Sequence, residues 1–411
     1  MNQIKPMLLT TLKSYGRSQF VKDVTAGIIV AIIALPLSIA LALASGVGPQ
    51  AGIFTAIVAG FVISAFGGSS VQIAGPTAAF ATIVAGIVAK DGLDGLVIST
   101  ILAGIFLILM GLCHFGSLIK FIPYTITTGF TSGIAVTIVI GQLKDFFGVT
   151  YPNGLKPIET MEKLNAFALG FLSFHVDALI VGGVSLAILI ISPYIFKRIP
   201  GSLIAVVIGI LMVKFLPLHV STIGNLYTIT NDLPSFHIPA VKFSMVKSAI
   251  PNAFTIAVLA AIESLLSCVV ADGMINGKHR SDTELVAQGL GNIASALFGG
   301  IPATGAIART AANIKNGGRT PVAGMVHSIT LVIVLVVLMP FAGMIPMPTI
   351  AAILFIVAYN MCQWRTFVHM LKTAPKSDII VLIVTFILTV VFDLVVAIEI
   401  GMVIACLLFI K

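Results

Sequence analysis

"LFGGIPATGAIARTAAN", residues 297–313, decides how this chain folds. It sets Gly299, Gly300, Pro302 and Gly305 ahead of an arginine, Arg309, inside a strongly apolar sequence. Glycine and proline are poor helix formers. Irregular backbone at membrane depth is tolerated only where protein or a water-filled cavity covers it. An arginine at the bilayer centre costs roughly 2.5–3.5 kcal/mol on insertion scales. The stretch therefore predicts a broken membrane segment that carries a charge for a purpose.

The rest of the composition agrees. The 411 residues are 58% hydrophobic and 9% charged, with a mean hydropathy of +1.13. A soluble domain carries about 25% charged residues, so the chain is read as an all-α polytopic membrane protein. A span with its loop takes roughly 25–30 residues, which leaves room for about fourteen. The net charge of +8 does not indicate a nucleic-acid partner, because the basic residues are scattered through short loops. Cys113, Cys268, Cys362 and Cys406 lie in or beside apolar runs without metal or disulfide spacing. The first 22 residues contain no secretory signal pattern and read as a cytoplasmic segment.

Apolar runs place segments near 24–45, 50–66, 76–90, 95–115, 122–147, 175–196, 201–216, 250–271, 283–298, 303–316, 321–345, 347–361, 376–396 and 397–410. Lys5, Lys13, Arg17 and Lys22 precede the first; Lys197, Arg198, Lys278, Arg280, Lys315, Arg319, Arg365, Lys372 and Lys376 follow even-numbered ones. The positive-inside rule then puts both termini in the cytoplasm of a bacterial cell, with the chain in its plasma membrane. Residues 149–174 and the polar connection 217–248 fall outside.

The segments repeat. "SAFGGSSVQIAGPTAAFAT" (64–82) resembles "SALFGGIPATGAIARTAAN" (295–313), and the two fall in the third and tenth segments. Seven spans apart means inverted topology, so residues 23–216 form one repeat (segments 1–7) and 249–411 the other (segments 8–14). Paired short segments interrupted by Gly and Pro are a pointer to a transporter's binding site. Gly67, Gly68 and Gly75–Pro76 predict an extended entry and a half-helix over 76–90 from Thr77. Gly299–Gly300 and Pro302 predict the same over 303–316 from Thr304. Two opposed helix amino ends make an anion site. Arg309 either supports that anion or is a structural arginine paired to a carboxylate or reaching the cytoplasmic side.

"AVLAAIESLLSCVVAD" carries Glu263 in mid-span. An isolated carboxylate there is either protonated or paired. Glu263 and Ser267, at i and i+4, share a helix face and form a candidate proton or sodium site; a structural pair with Arg309 is the alternative. Weaker signals are Asp272, read as a helix-end residue near Lys278; Asp393 and Glu399, beside the last turn; and His327, read as a satisfied buried histidine. Pro36 breaks the first span; Ser38 beside it and Phe80 either line the site or pack. No metal, cofactor or nucleotide motif appears, and no catalytic constellation, so an enzyme is not expected.

Five stretches resemble the sulfate permease (SulP) family over about residues 20–410: "VTAGIIVAIIALPLSIALALASGVGPQAGIFTA" (24–56), "AGPTAAFATI" (74–83), "AIESLLSCVVADGM" (261–274), "ELVAQGLGNIASALFGGIPATGAIARTAANI" (284–314) and "APKSDIIVLIVTFILTVVFDLVVAIEIG" (374–401). "GPTAAF", "AIESLL" and "ATGAIART" look most like bacterial members that move C4-dicarboxylates. The resemblance implies a seven-plus-seven inverted repeat with core and gate domains, and commonly a homodimer. It puts the anion between Thr77, Ala78 and Phe80 on one side and Thr304, Gly305, Ala306 and Arg309 on the other, against Leu37 and Ser38. Glu263 matches the coupling carboxylate and Arg309 the anion-supporting arginine. Leu37 stands where many members have glutamine, which points away from sulfate. Sodium-linked bicarbonate members carry Asp and Thr where Glu263 and Ser267 stand and lack the arginine, which points away from bicarbonate. The STAS domain usual after the last span is not expected in this chain. The expectation is proton-coupled C4-dicarboxylate uptake by an elevator motion. Symport or exchange of sulfate, bicarbonate or another inorganic anion is the alternative, and an anion channel is the alternative of a different class.

Overall fold

The two glycine-rich interruptions pair with each other. In the computed structural model, which describes residues 4–117, 124–152, 155, 157–196, 199–239 and 243–391, Ala74–Gly75 forms β1 and Thr304–Gly305 forms β2. They run antiparallel, with Ala74 opposite Gly305 and Gly75 opposite Thr304. Two residues per strand suffice, because the pairing satisfies backbone groups that no helix takes up.

Helices make up most of the remaining chain: α1 (Leu8–Thr11), α2 (Arg17–Ala44), α3 (Pro49–Phe66), α4 (Ala78–Leu112), α5 (Tyr124–Phe147), α6 (Thr160–Gly170), α7 (Val176–Ile195), α8 (Gly201–Phe215), α9 (Ile223–Leu226), α10 (Phe243–Ile275), α11 (Ser281–Leu297), α12 (Ile307–Lys315), α13 (Val322–Ala342), α14 (Met347–Cys362), α15 (Trp364–Thr373) and α16 (Lys376–Val391). Among the described residues, eight helical stretches are long and apolar enough to cross a membrane. The protein is an all-α, multi-pass membrane protein.

The expected break between segments 76–90 and 95–115 is present: α4 is two helices that meet at a kink at Gly92, whose φ of 72° suits glycine. Several boundaries differ from expectation. The half-helix expected over 303–316 starts only at Ile307, because Thr304 and Gly305 are held in β2. Pro36 does not end α2, which continues to Ala44. The connection 217–248 contains α9 and the first turns of α10, and 149–174 contains α6, started by a Glu159–Glu162 capping box. The expected segment 397–410, with Asp393, Glu399 and Cys406, lies outside the described residues, as do Lys197 and Arg198.

The chain divides into two units. Unit 1 comprises Met1–Phe80, Lys90–Lys120 and Ile229–Pro340; unit 2 comprises Ala81–Ala89, Phe121–Thr228 and Phe341–Lys411. Unit 1 is packed on small residues. Gly52 of α3 lies so close to the Ser38 carbonyl of α2 that any side chain there would collide with it. Ala59, Ile63, Ala74 and Ala303 form a buried cluster around the paired strands. Unit 2 packs α14 against α5 and α7. Phe146 meets Phe355 at 4.9 Å, and Ser185 bonds Thr349 at 2.9 Å.

The start of α2 is tied to the start of α13 by one buried carboxylate. Asp23 accepts from the Arg319 amide (2.8 Å), the Thr320 amide (3.3 Å), the Thr320 hydroxyl (2.6 Å), the Tyr15 hydroxyl (2.9 Å) and the Gln19 amide (2.9 Å). Burial pushes the Tyr15 phenol from its ordinary 10.0 up to about 12, and the adjacent Asp23 carboxylate adds to it. A raised phenol keeps its stabilising proton below pH 10.0 and loses that contribution as pH rises through about 12. The melting midpoint of the wild type is therefore expected to fall more steeply over that interval than that of Tyr15→Phe. Parallel pH curves for the two would contradict the assignment.

Candidate functional site

Breaking two helices inside an apolar body leaves backbone groups that need partners. In unit 1, α11 supplies them from a buried polar row: Glu284, Gln288, Asn292 and Ser295. Glu284 accepts from the Gly68 amide (2.8 Å), the Ser69 amide (3.1 Å), Gln72 Nε2 (2.8 Å) and Gln288 Nε2 (2.9 Å). Asn292 brackets Ala303, donating to its carbonyl at 2.8 Å and accepting from its amide at 2.9 Å. Ser295 donates to the Ile301 carbonyl at 2.7 Å, while Thr55 of α3 accepts the Ile301 amide at 2.7 Å. From α12, Thr310 accepts the Ile73 amide (3.1 Å) and Asn313 donates to the Val71 carbonyl (2.8 Å).

This scaffold fixes two helix starts beside the strand pair. Thr77 is the N-cap of α4 and Ala306 that of α12, both with extended backbone. Because β1 and β2 are antiparallel, α4 and α12 leave the pair in opposite senses with their amino ends toward it. Each end carries unpaired N–H groups and the positive end of a helix dipole.

Arg309, in the first turn of α12, is 1% exposed. Its Nη2 donates to Ser38 Oγ (3.2 Å) and the Pro76 carbonyl (3.3 Å). Nε and Nη1 have no hydrogen-bond partner among the described residues. No carboxylate lies within 4.0 Å of it among the described residues, so the structural ion pair with Glu263 is not formed. Gly75 faces Nη1 so closely that a Cβ there would strike it. The result is a buried guanidinium with two of its three nitrogens, Nε and Nη1, unpartnered among the described residues.

Glu263, on α10, is half-buried and accepts from the Thr77 hydroxyl at 3.0 Å. Thr77 makes no side-chain cap bond to α4, its hydroxyl being engaged by this carboxylate. Ser267 is directed elsewhere: its hydroxyl meets Thr310 Oγ1 at 3.5 Å, so the structure does not join it to Glu263. Ala78 and Phe80 are buried in the first turn of α4. Leu37 is half-buried and offers no polar atom.

Three expected contacts serve the scaffold. The Thr304 hydroxyl donates to the Ala260 carbonyl at 2.9 Å, Gly305 pairs with Ala74 against Gln72, and the Ala306 amide donates to the Ile73 carbonyl at 2.9 Å. Asp272 bonds His279 (2.6 Å) rather than Lys278. His327 is fully buried, but neither ring nitrogen has a partner among the described residues, so it is not the satisfied histidine expected. Among the described residues no group of three or more His, Cys, Asp or Glu side chains is placed to hold a metal. Sequence reading passed over the α11 row, although Glu284, Gln288 and Asn292 recur every four residues in a run counted as apolar.

Known proteins share this sequence and shape. Residues 20–385 match the model of the "Sulfate permease family". "Putative sulfate transporter YvdB" of Bacillus subtilis is 42% identical, over 97% of this chain and 75% of its own length. "Bicarbonate transporter BicA" of Picosynechococcus is 34% identical, over 95% of this chain and 70% of its own. The solved transmembrane domain of a cyanobacterial bicarbonate transporter BicA has a TM-score of 0.82 at 29% identity, covering 93% of this chain and 98% of that one. None of these three is named for a dicarboxylate, contrary to the expectation from the short motifs.

The contact at Gly75 gives a specific test. Gly75→Ala is expected to displace Arg309 and weaken anion binding by about tenfold or more, the scale of one charge-assisted hydrogen bond. Gly86→Ala, where a Cβ meets nothing within 4 Å, should leave binding unchanged. Equal affinities for both variants, by titration calorimetry, would remove Gly75 and Arg309 from the site.

Proposed function

The chain belongs to the sulfate permease family of secondary anion transporters, and we propose that its own substrate is a small inorganic oxyanion, sulfate first and bicarbonate next. The carrying observation is Arg309: a buried guanidinium with Nε and Nη1 unpartnered beside a helix amino end. A planar fork of N–H donors matches an oxyanion, and burial makes each such bond stronger than in water. A dianion compensates that buried charge more fully than a monoanion does, which favours sulfate. The relatives named for sulfate and bicarbonate support the same class. The motifs "GPTAAF", "AIESLL" and "ATGAIART" keep a C4-dicarboxylate as the second reading.

In this reading the anion sits between the start of α4 and Arg309, with Ser38 holding the other edge of the guanidinium. Glu263 carries the coupling proton. Its contact with the Thr77 hydroxyl is the link, because Thr77 caps the helix whose amino end binds the anion. While Glu263 is ionised, Thr77 donates to it and an anion nearby is repelled. Protonation removes the repulsion and frees Thr77, so proton and anion bind together. Unit 1, as the carrier, then moves its load in an elevator-like step. Fourteen segments in a seven-plus-seven inverted repeat, cytoplasmic termini and a homodimer belong to the same proposal.

Radiolabelled sulfate uptake by proteoliposomes is expected to rise with an inward proton gradient. Glu263→Gln should keep sulfate binding and lose the gradient dependence. Arg309→Ala should weaken sulfate binding by about 100-fold, as two charge-assisted bonds are lost. Unchanged gradient-driven accumulation in Glu263→Gln would end the coupling role. Competition by succinate but not by selenate would replace the inorganic anion with a dicarboxylate.

A further inference from the structure

The short helix α15 (Trp364–Thr373) follows a left-handed turn at Gln363, with φ 42° and ψ 43°. It buries none of its residues fully. Its sequence, WRTFVHMLKT, sets Trp364, Val368 and Leu371 on one stripe and Arg365, His369 and Lys372 on the next, both at i, i+4, i+7. The remaining side faces the protein, where Phe367 packs on Phe386 of α16 at 5.3 Å.

What stays exposed is half apolar and half cationic. Trp364 is 47% exposed and Val368 37%. Arg365, His369 and Lys372 are exposed beside them, and Lys376 begins α16 just beyond. The Arg365 guanidinium lies 5.7 Å from the Trp364 ring. No carboxylate lies within 4.0 Å of Arg365, Lys372 or Lys376 among the described residues. The nearest acidic residue in sequence, Asp378, is one against three permanent cations.

We propose that α15 lies in the membrane–water interface and binds anionic lipid headgroups through Arg365, Lys372 and Lys376, with Trp364 and Val368 seated among the acyl chains. The charge pattern decides against a purely apolar partner, and the exposed tryptophan decides against a purely aqueous one. Tryptophan partitions to the headgroup level, and basic residues beside it gain from a negatively charged leaflet. The surface lies in unit 2 and is independent of which anion unit 1 carries.

Trp364 is the single tryptophan of the chain, so its fluorescence reports this surface alone. The full chain is reconstituted in vesicles containing, at equal mole fraction, either brominated phosphatidylglycerol or brominated phosphatidylcholine. The anionic quencher is expected to quench Trp364 about twofold more than the neutral one at low salt, through local enrichment. High salt should close that gap in the wild type, as should Arg365→Gln, Lys372→Gln and Lys376→Gln together. Equal quenching by the two lipids, a gap that survives both salt and the triple substitution, or no quenching by either would overturn the proposal. The salt arm uses the unmodified protein, so the test stands if the triple variant does not fold.

Discussion

Backbone that leaves helical geometry inside a membrane protein must still hydrogen-bond, and in this chain that requirement falls on α11. The stretches around residues 67–75 and 298–305 are irregular where water is scarce. Each unmet buried polar group costs about 1–3 kcal/mol, so the interruptions persist only because partners are built in. Glu284 and Asn292 take three of the exposed backbone amides, and β1 and β2 satisfy each other. Gln72 belongs to the same network, accepting from the Cys268 thiol while donating to Glu284. The proposed anion site is thus a consequence of the scaffold: the two helices start where they do because the polar row of α11 holds the chain out of helix just before them.

Arg309 is the second half of that logic. Its guanidinium reaches from α12 to the Pro76 carbonyl and to Ser38 of α2, so one side chain joins both broken stretches and the first long helix. Those contacts occupy one nitrogen and hold the plane of the guanidinium, while Gly75 leaves room for another. An arginine held this way loses little conformational entropy when an anion arrives. Glu263 bonds Thr77 while Arg309 bonds the carbonyl of the preceding residue, Pro76, so the carboxylate meets the start of α4 and does not pair with the arginine directly.

Much of this was legible from the residues. Hydropathy and the scarcity of charge marked a membrane protein, and the Gly–Pro interruptions marked where irregular backbone would fall. Arg309 and Glu263 stood out because charge is costly in an apolar run. What escaped was a polar stripe inside a run counted as apolar, and the partners that distant segments supply. Thr304, Gly305 and Ala306 were expected at the anion because the family resemblance puts a half-helix start there, yet strand pairing and the Ala260 and Ile73 carbonyls claim their polar groups. Glu284, Gln288 and Asn292 passed as part of an apolar span, since a hydropathy window averages a polar stripe away. Ser267 shares a helical face with Glu263 but bonds Thr310, which comes from a distant segment that spacing alone does not reveal.

The most direct measurement is the position of a bound heavy oxyanion. A structure of the protein with selenate, located by its anomalous scattering, is predicted to show one peak within hydrogen-bonding distance of Arg309 Nε and Nη1, at the amino end of α4. No peak at saturating selenate, or a peak remote from Arg309 while its guanidinium stays on Ser38 and Pro76, would contradict the account.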